Sequence, residues 1–84
     1  MSKIIKFYGN TCAQCKLLDA YMESEGLSAD EVISTDDNPE KAFEHGLMGQ
    51  PTLLLLDDEG NELQRMTGYN PGRTAEVKEL FSKR

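Results

Sequence analysis

Two cysteines three positions apart, Cys12 and Cys15, are the only cysteines in this chain of 84 residues. An apolar run, residues 4–8, leads through a Gly9-Asn10 turn into this pair, and a stretch with helical periodicity follows it. A disulfide between such close neighbours closes too small a loop to stabilise much of the chain, because loop-closure entropy grows with loop length. The fold must therefore depend on a hydrophobic core, and the two thiols are better suited to chemistry at a junction between a strand and a helix.

The position of the pair at the start of a helix favours thiol–disulfide exchange. Residues three apart lie on one helix face, so the two sulfurs can join with little movement of the backbone. Unpaired N–H groups and the positive end of the helix dipole stabilise a thiolate on Cys12, and nearby Lys16 adds positive charge. We expect Cys12 to be the more exposed, attacking thiol and Cys15 to resolve the mixed disulfide, which makes both of them catalytic.

Size and charge limit the remaining possibilities. With 84 residues, of which 38% are hydrophobic, the chain is expected to form one domain over residues 1–84. Its formal net charge of -6 argues against binding to nucleic acids or anionic membranes, since both need a basic surface. The N-terminus resembles no signal segment and no apolar run is long enough to span a membrane, so we expect a cytoplasmic monomer. In the cytosol a CxxC pair is usually redox-active or metal-binding.

The hydrophobic pattern predicts seven elements in the order β-α-β-α-β-β-α. The expected strands are residues 3–8, 31–35, 52–56 and 62–67, and the expected helices are about residues 13–25, 39–45 and 74–83. The first and third strands should be buried on both faces, whereas the fourth, in which Leu63 and Met66 break strict alternation, should be an edge strand. The result is an α/β domain with a four-stranded mixed sheet and helices on both faces.

This order of elements, with CxxC at the first strand-to-helix junction, resembles the thioredoxin fold over essentially the whole chain. The C-terminal half is similar to thioredoxin itself in residues 37–39, in residues 45–52 and in the stretch 67–69. The resemblance implies that Pro51 is cis and lies against the dithiol, and that the backbone of Gln50 pairs with an extended client segment. It also implies that Gly68, which has no side chain, leaves the neighbouring surface free of a protruding group. Tyr69, with Tyr8, is then expected to offer an apolar patch to the substrate.

The N-terminal half resembles the glutaredoxin-like redoxins that serve ribonucleotide reductase. Thioredoxin has tryptophan before its first cysteine and Gly-Pro between the pair, where this chain has Thr11 and Ala13-Gln14. Lys6 replaces the acidic residue that is usual six positions before the first cysteine. Lys6, Ala13, Gln14 and Lys16 are therefore expected to tune the redox centre. The resemblance implies no bound cofactor, thioredoxin reductase as electron donor, and protein disulfides such as that of ribonucleotide reductase as substrates.

Three other interpretations stay open from the sequence. A CxxC pair can be half of a zinc site, but zinc normally needs four ligands and His45 is the only histidine, so we predict no metal. A redoxin scaffold can also serve as a non-catalytic binding subunit of a partner enzyme. A glutathione-dependent glutaredoxin is the third possibility, although the chain lacks the Gly-Gly-x-Asp-like pair that glutaredoxins carry for glutathione.

Overall fold

A computed structural model describes residues 2–84. The elements are β1 (Lys3–Tyr8), α1 (Ala13–Ser24), β2 (Glu31–Ser34), α2 (Pro39–Glu44), β3 (Thr52–Leu56), β4 (Glu62–Thr67), a 3-10 turn (Pro71–Arg73) and α3 (Thr74–Ser82). The predicted order is confirmed. Each helix ends one residue earlier than predicted because Glu25, His45 and Lys83 are the residues that cap it. No helix within residues 2–84 is both long and apolar enough to cross a membrane.

The four strands form one mixed sheet in the order β2-β1-β3-β4. β1 runs parallel to β2 and antiparallel to β3, and β4 is antiparallel to β3 at the edge, as predicted. In this register Tyr8 lies beside Ser34, and Phe7 lies opposite Thr52. One end of the sheet therefore carries the end of β1, the end of β2 and the start of β3 side by side. The segments that follow β1 and β2 and precede β3 are therefore neighbours.

The core has two layers, one on each face of the sheet. Successive residues of a strand point to opposite faces, so β1 and β3 contribute to both layers. The larger layer packs against α1 and α3 and contains Ile4, Leu18, Met22, Leu53, Leu55, Met66, Tyr69, Val77, Leu80 and Phe81. The smaller layer contains Ile5, Phe7, Leu54 and Leu56, with Leu47 packed against it. All five residues of β3 are buried, which confirms that this strand is covered on both faces.

An irregularity in β4 accounts for the broken alternation in its sequence. Leu55 pairs with Gln64 and Leu56 pairs with Glu62, so Leu63 is an extra residue on the edge strand. Such a bulge reverses the side of the sheet to which the following residues point. Leu63 is consequently 55% exposed, whereas Met66 is buried.

Arg65 of β4 holds the end of α2 in place. Its guanidinium donates hydrogen bonds to the carbonyls of His45 and Gly46, the latter at 3.1 Å, and pairs with the carboxylate of Glu62. That hydrogen-bonded pairing lowers the pKa of Glu62. Because α2 leads directly into the segment before β3, Arg65 also positions that segment over the sheet.

Replacement of a β3 leucine tests the two-layer core. Leu54→Ala should lower the free energy of unfolding by about 2–5 kcal/mol, because it leaves a cavity in a fully buried layer. The control Leu63→Ala removes the same atoms from the exposed bulge and should change the free energy by less than about 1 kcal/mol. Urea unfolding followed by circular dichroism measures both, and equal losses would contradict this account of the core.

Candidate active site

Cys12 and Cys15 lie at the N-terminus of α1. Cys12 is the cap residue in an extended conformation, with φ of -110° and ψ of 108°, and its sulfur accepts a hydrogen bond of 3.1 Å from the backbone N–H of Cys15. The two residues form a disulfide with their Cα atoms 5.2 Å apart. Cys12 is partly exposed and Cys15 is buried, as expected. The cap N–H and the helix dipole are placed to stabilise negative charge on the Cys12 sulfur.

Side chains at the end of β2 hold the turn that leads into Cys12. The backbone N–H of Asn10 donates a hydrogen bond of 2.6 Å to the carboxylate of Asp36. The side-chain oxygen of Asn10 accepts a hydrogen bond of 3.1 Å from the hydroxyl of Ser34. These contacts were not predicted from the sequence, because it is the parallel pairing of β1 and β2 that brings the residues together. The only local indication of their role is that asparagine, aspartate and serine favour turns.

The Gln50–Pro51 peptide bond is cis, as the thioredoxin resemblance implies. The amide nitrogen of the Gln50 side chain donates to the hydroxyl of Thr35, which itself donates to the carbonyl of Tyr8 at 3.2 Å. The amide oxygen of Gln50 lies so close to Gly9 that a Cβ atom at Gly9 would overlap it. The side chain of Gln50 is therefore fixed at the ends of β1 and β2 and against Gly9, which precedes Cys12 by three residues.

A second set of contacts joins Pro51 to the CxxC turn. The carbonyl of Pro51 accepts a hydrogen bond of 2.8 Å from the backbone N–H of Gly68, whose φ is 79°. The next N–H, that of Tyr69, donates a hydrogen bond of 3.2 Å to the side-chain oxygen of Gln14. Gln14, between the two cysteines, therefore contacts the loop that contacts Pro51. Hydrogen bonds thus connect Pro51, through Gly68 and Tyr69, to the residue between the two cysteines.

Arg73 fixes the loop that contains Gly68. One of its nitrogens donates to the carbonyls of Thr67 and Gly68 at 2.6 and 3.1 Å, and the guanidinium pairs with Glu76. The hydrogen bond between the two side chains lowers the pKa of Glu76 and raises that of Arg73. The side chain of Arg73 therefore holds this bent loop in place.

The prediction that Tyr69 offers an apolar surface to the substrate is wrong. Its side chain is 4% exposed and belongs to the larger core layer, where its ring stacks on Tyr21 with 6.3 Å between centroids. Burial raises the pKa of the Tyr69 phenol, and the neighbouring Tyr21 adds to this effect. A large ring gains more from burial in the core than from exposure at the loop. Only the backbone of Tyr69 reaches the site, through Gln14.

Lys6 is paired with a residue that the sequence analysis did not identify. Its ammonium forms an ion pair with Asp19 of α1, and its side chain is 11% exposed against 52% for Asp19. Asp19 follows Cys15 by four positions, so the two side chains are neighbours on the helix. This spacing from Cys15 was the sequence pattern that could have identified Asp19.

Ala13 and Lys16 are exposed on α1, and the backbone N–H of Lys16 donates to the carbonyl of Cys12 at 3.4 Å.

The histidine considered for zinc has a packing role. The ring of His45 lies 5.5 Å from that of Phe7, centroid to centroid, at the C-terminal cap of α2. Within residues 2–84, no group of three or more histidine, cysteine, aspartate or glutamate side chains is arranged to hold a metal ion.

Comparison with known proteins identifies similar sequences and structures. The chain is 35% identical over 79 residues to the SPbeta prophage-derived thioredoxin-like protein YosR of Bacillus subtilis, covering 93% of this chain and 98% of that protein. It is 33% identical over 69 residues to thioredoxin of Chlamydia caviae, covering 77% and 67% of the two chains. The oxidised mitochondrial thioredoxin 3 of Saccharomyces cerevisiae matches with a TM-score of 0.78 and 21% identity, covering 99% of this chain and 78% of that one. No family model matches the sequence.

A double-mutant cycle tests the contact between Gly9 and Gln50. Gly9→Ala should displace the Gln50 side chain and lower the free energy of unfolding by about 1 kcal/mol, the usual contribution of a hydrogen bond such as that to Thr35. Gln50→Ala should have a similar effect. The double variant should be no less stable than either single variant, because alanine at position 9 then meets no side chain at position 50. Additive losses in urea unfolding would contradict the contact.

Proposed function

Since this chain belongs to the thioredoxin family, we propose that it is a cytoplasmic electron carrier that reduces protein disulfides through Cys12 and Cys15. It is a small dithiol–disulfide oxidoreductase. The observation that carries the proposal is the Cys12–Cys15 disulfide at the N-terminus of α1, with the Gln50–Pro51 segment held beside it.

In the first step, the thiolate of Cys12 attacks one sulfur of a client disulfide. The bond between the two client sulfurs breaks, and the departing sulfur leaves as a thiolate that takes a proton from solvent. Cys12 is then joined to the other client sulfur in a mixed disulfide. Its partial exposure and the N–H of Cys15 support this role, since only an accessible and stabilised thiolate attacks at neutral pH.

In the second step, Cys15 loses its proton and its thiolate attacks the Cys12 sulfur. The mixed disulfide breaks, the second client sulfur leaves as a thiolate, and the client has gained two electrons. The Cα separation of 5.2 Å supports this exchange, because the two sulfurs join without rearrangement of the helix. A reductase then returns two electrons to the disulfide.

The client segment docks along the cis-proline loop. The backbone of Gln50 pairs with an extended client segment beside Pro51, and Gly68 leaves room on the opposite side. The hydrogen bond from Tyr69 to Gln14 supports this arrangement, because it keeps the Gly68 loop at a fixed distance from the dithiol. We assign Tyr69 to this site through its backbone.

Thioredoxin reductase is the proposed electron donor, and the disulfide of ribonucleotide reductase is one proposed client. The similarity to thioredoxins in sequence supports the first, and the resemblance of the residues around Cys12 to redoxins of ribonucleotide reductase supports the second. The acidic surface favours clients with basic rims through steering of their approach.

A coupled assay tests the roles of the two cysteines. With NADPH, thioredoxin reductase and insulin, the wild-type protein should support NADPH consumption, and Cys12→Ser should abolish it because no thiol remains to attack. Cys15→Ser should stop turnover but retain a mixed disulfide at Cys12, which mass spectrometry of the unreduced protein detects. A fully active Cys12→Ser protein would overturn the assignment.

Three further measurements separate the alternatives and name the client. Reduction by glutathione alone, without thioredoxin reductase, would indicate a glutaredoxin. If a partner enzyme stays active with the double variant Cys12→Ser, Cys15→Ser, the chain is a non-catalytic binding subunit. Capture by the Cys15→Ser protein, followed by identification of the disulfide-linked partner, names the client directly.

Charge neutralisation at Lys6 and at its partner tests the proposed tuning of the dithiol by Lys6. A cation near the pair favours the thiolate form, so Lys6→Met should lower the midpoint potential, by on the order of 10 mV. Asp19→Asn should raise it, because the ammonium of Lys6 is then no longer neutralised by its partner. Equilibration with dithiothreitol redox buffers measures all three proteins. Potentials that do not separate in this order would show that the ion pair is only structural.

A further inference from the structure

Two large hydrophobic side chains, Phe43 and Met48, are almost fully exposed. Each is 88% exposed, whereas Leu17, Val32 and Leu63, the other exposed large hydrophobic residues described, are at least partly covered at 50–56%. We call Phe43 and Met48 the exposed pair. Such exposure in a chain with only 38% hydrophobic residues gives up burial that would stabilise the fold.

The local fold keeps Met48 outward and close along the chain to Pro51. The chain turns at Gly46, whose φ is 60°, and the N–H of Leu47 donates to the carbonyl of Ala42 at 3.1 Å. Leu47 then packs against the smaller core layer, and Met48 follows it into solvent. Three peptide bonds separate Met48 from Pro51, so their Cα atoms are no more than about 11 Å apart.

The segment between Met48 and β3 is anchored. The carbonyl of Gly49 accepts a hydrogen bond of 2.7 Å from the hydroxyl of Thr52. A Cβ atom on Gly49 would lie 3.3 Å from the side chain of Thr67 in β4, so this backbone packs closely on the sheet. Met48 is therefore held in a defined place beside the Gln50–Pro51 segment.

The stretch of chain that carries the exposed pair is acidic. Four carboxylates on α2 and its approach are exposed, and a single lysine in this stretch, Lys41, opposes them. The four are Asp36, Asp37, Glu40 and Glu44. A second copy of the chain, with the same net charge of -6, would be repelled, and so would an anionic membrane. The charge favours a cationic partner.

We infer that the exposed pair binds a client segment that carries an apolar side chain and a neighbouring lysine or arginine beside its disulfide. The inference rests on the proposed function and names the substrate class of that site. A client strand paired with Gln50 advances about 3.3 Å per residue. A client residue two or three positions from the attacked cysteine therefore reaches Met48, its apolar part contacts the exposed pair, and a basic neighbour faces the carboxylates of α2.

Reduction of two matched peptides tests this inference. Both peptides carry one disulfide; one has leucine and lysine at the second and third positions from the cysteine, and the other has serine and glutamate. The wild-type protein should reduce the leucine–lysine peptide with the higher kcat/KM, and added salt should diminish the preference. Hydroxyethyl disulfide, which is too small to reach the exposed pair, measures the chemistry of the dithiol alone.

Serine variants locate the effect. Phe43→Ser and Met48→Ser should each lower kcat/KM for the leucine–lysine peptide about fivefold, mainly through KM, because apolar contact area is lost. Both should reduce hydroxyethyl disulfide as the wild-type protein does. The matched control Leu63→Ser removes an exposed leucine from the bulge of β4 and should change neither rate.

Three results would overturn the inference in distinguishable ways. If the serine variants reduce both peptides as the wild-type protein does, the exposed pair binds no client, and the proposed function stands. If the wild-type protein is a dimer by sedimentation and Met48→Ser makes it monomeric without change in peptide reduction, the pair is an interface between copies. If the wild-type protein reduces neither the peptides nor hydroxyethyl disulfide, the proposed function itself fails.

Discussion

The antiparallel pairing of β1 with β3 is the constraint on which the site depends. It sets Phe7 opposite Thr52, so the residues that follow β1 and those that precede β3 leave the sheet at the same edge. Both strands contribute side chains to both core layers, and a slip of one residue would exchange those layers. The hydrophobic register that folds the domain therefore also places the disulfide turn beside the Gln50–Pro51 segment.

Hydrophobic periodicity was sufficient to predict the elements, because the pattern of apolar residues within each strand shows whether one or both of its faces are buried. The fully buried β3 and the order of all seven elements follow from it. The bulge at Leu63 does not, since only the partner strand reveals that one residue is unpaired. The broken alternation between Leu63 and Met66 was the only indication of the bulge in the sequence.

The candidate site was less predictable, because its side chains meet across long stretches of chain. The cysteine pair was evident from its position between a predicted strand and a predicted helix, and the neighbourhood of Pro51 was predicted only through a family resemblance. The bond between Tyr69 and Gln14 joins residues 55 positions apart, and no local pattern indicates it. The resemblance also misled at Tyr69, whose ring was expected at the surface, whereas Gly68 turns the chain and the ring lies in the core.

The distribution of charge serves the stability of the site and also bears on the proposed choice of client. Of nine lysine and arginine residues, Arg65 and Arg73 hold the two loops beside the disulfide, and Lys6 pairs with the carboxylate one turn beyond Cys15. Fifteen aspartate and glutamate residues oppose these nine. Lys6, Arg65 and Arg73 each pair with a carboxylate, so the net charge of -6 comes from acidic residues outside these three pairs. The contacts that fix the loops therefore leave this excess of negative charge intact, and it is this excess that would steer the basic clients proposed above.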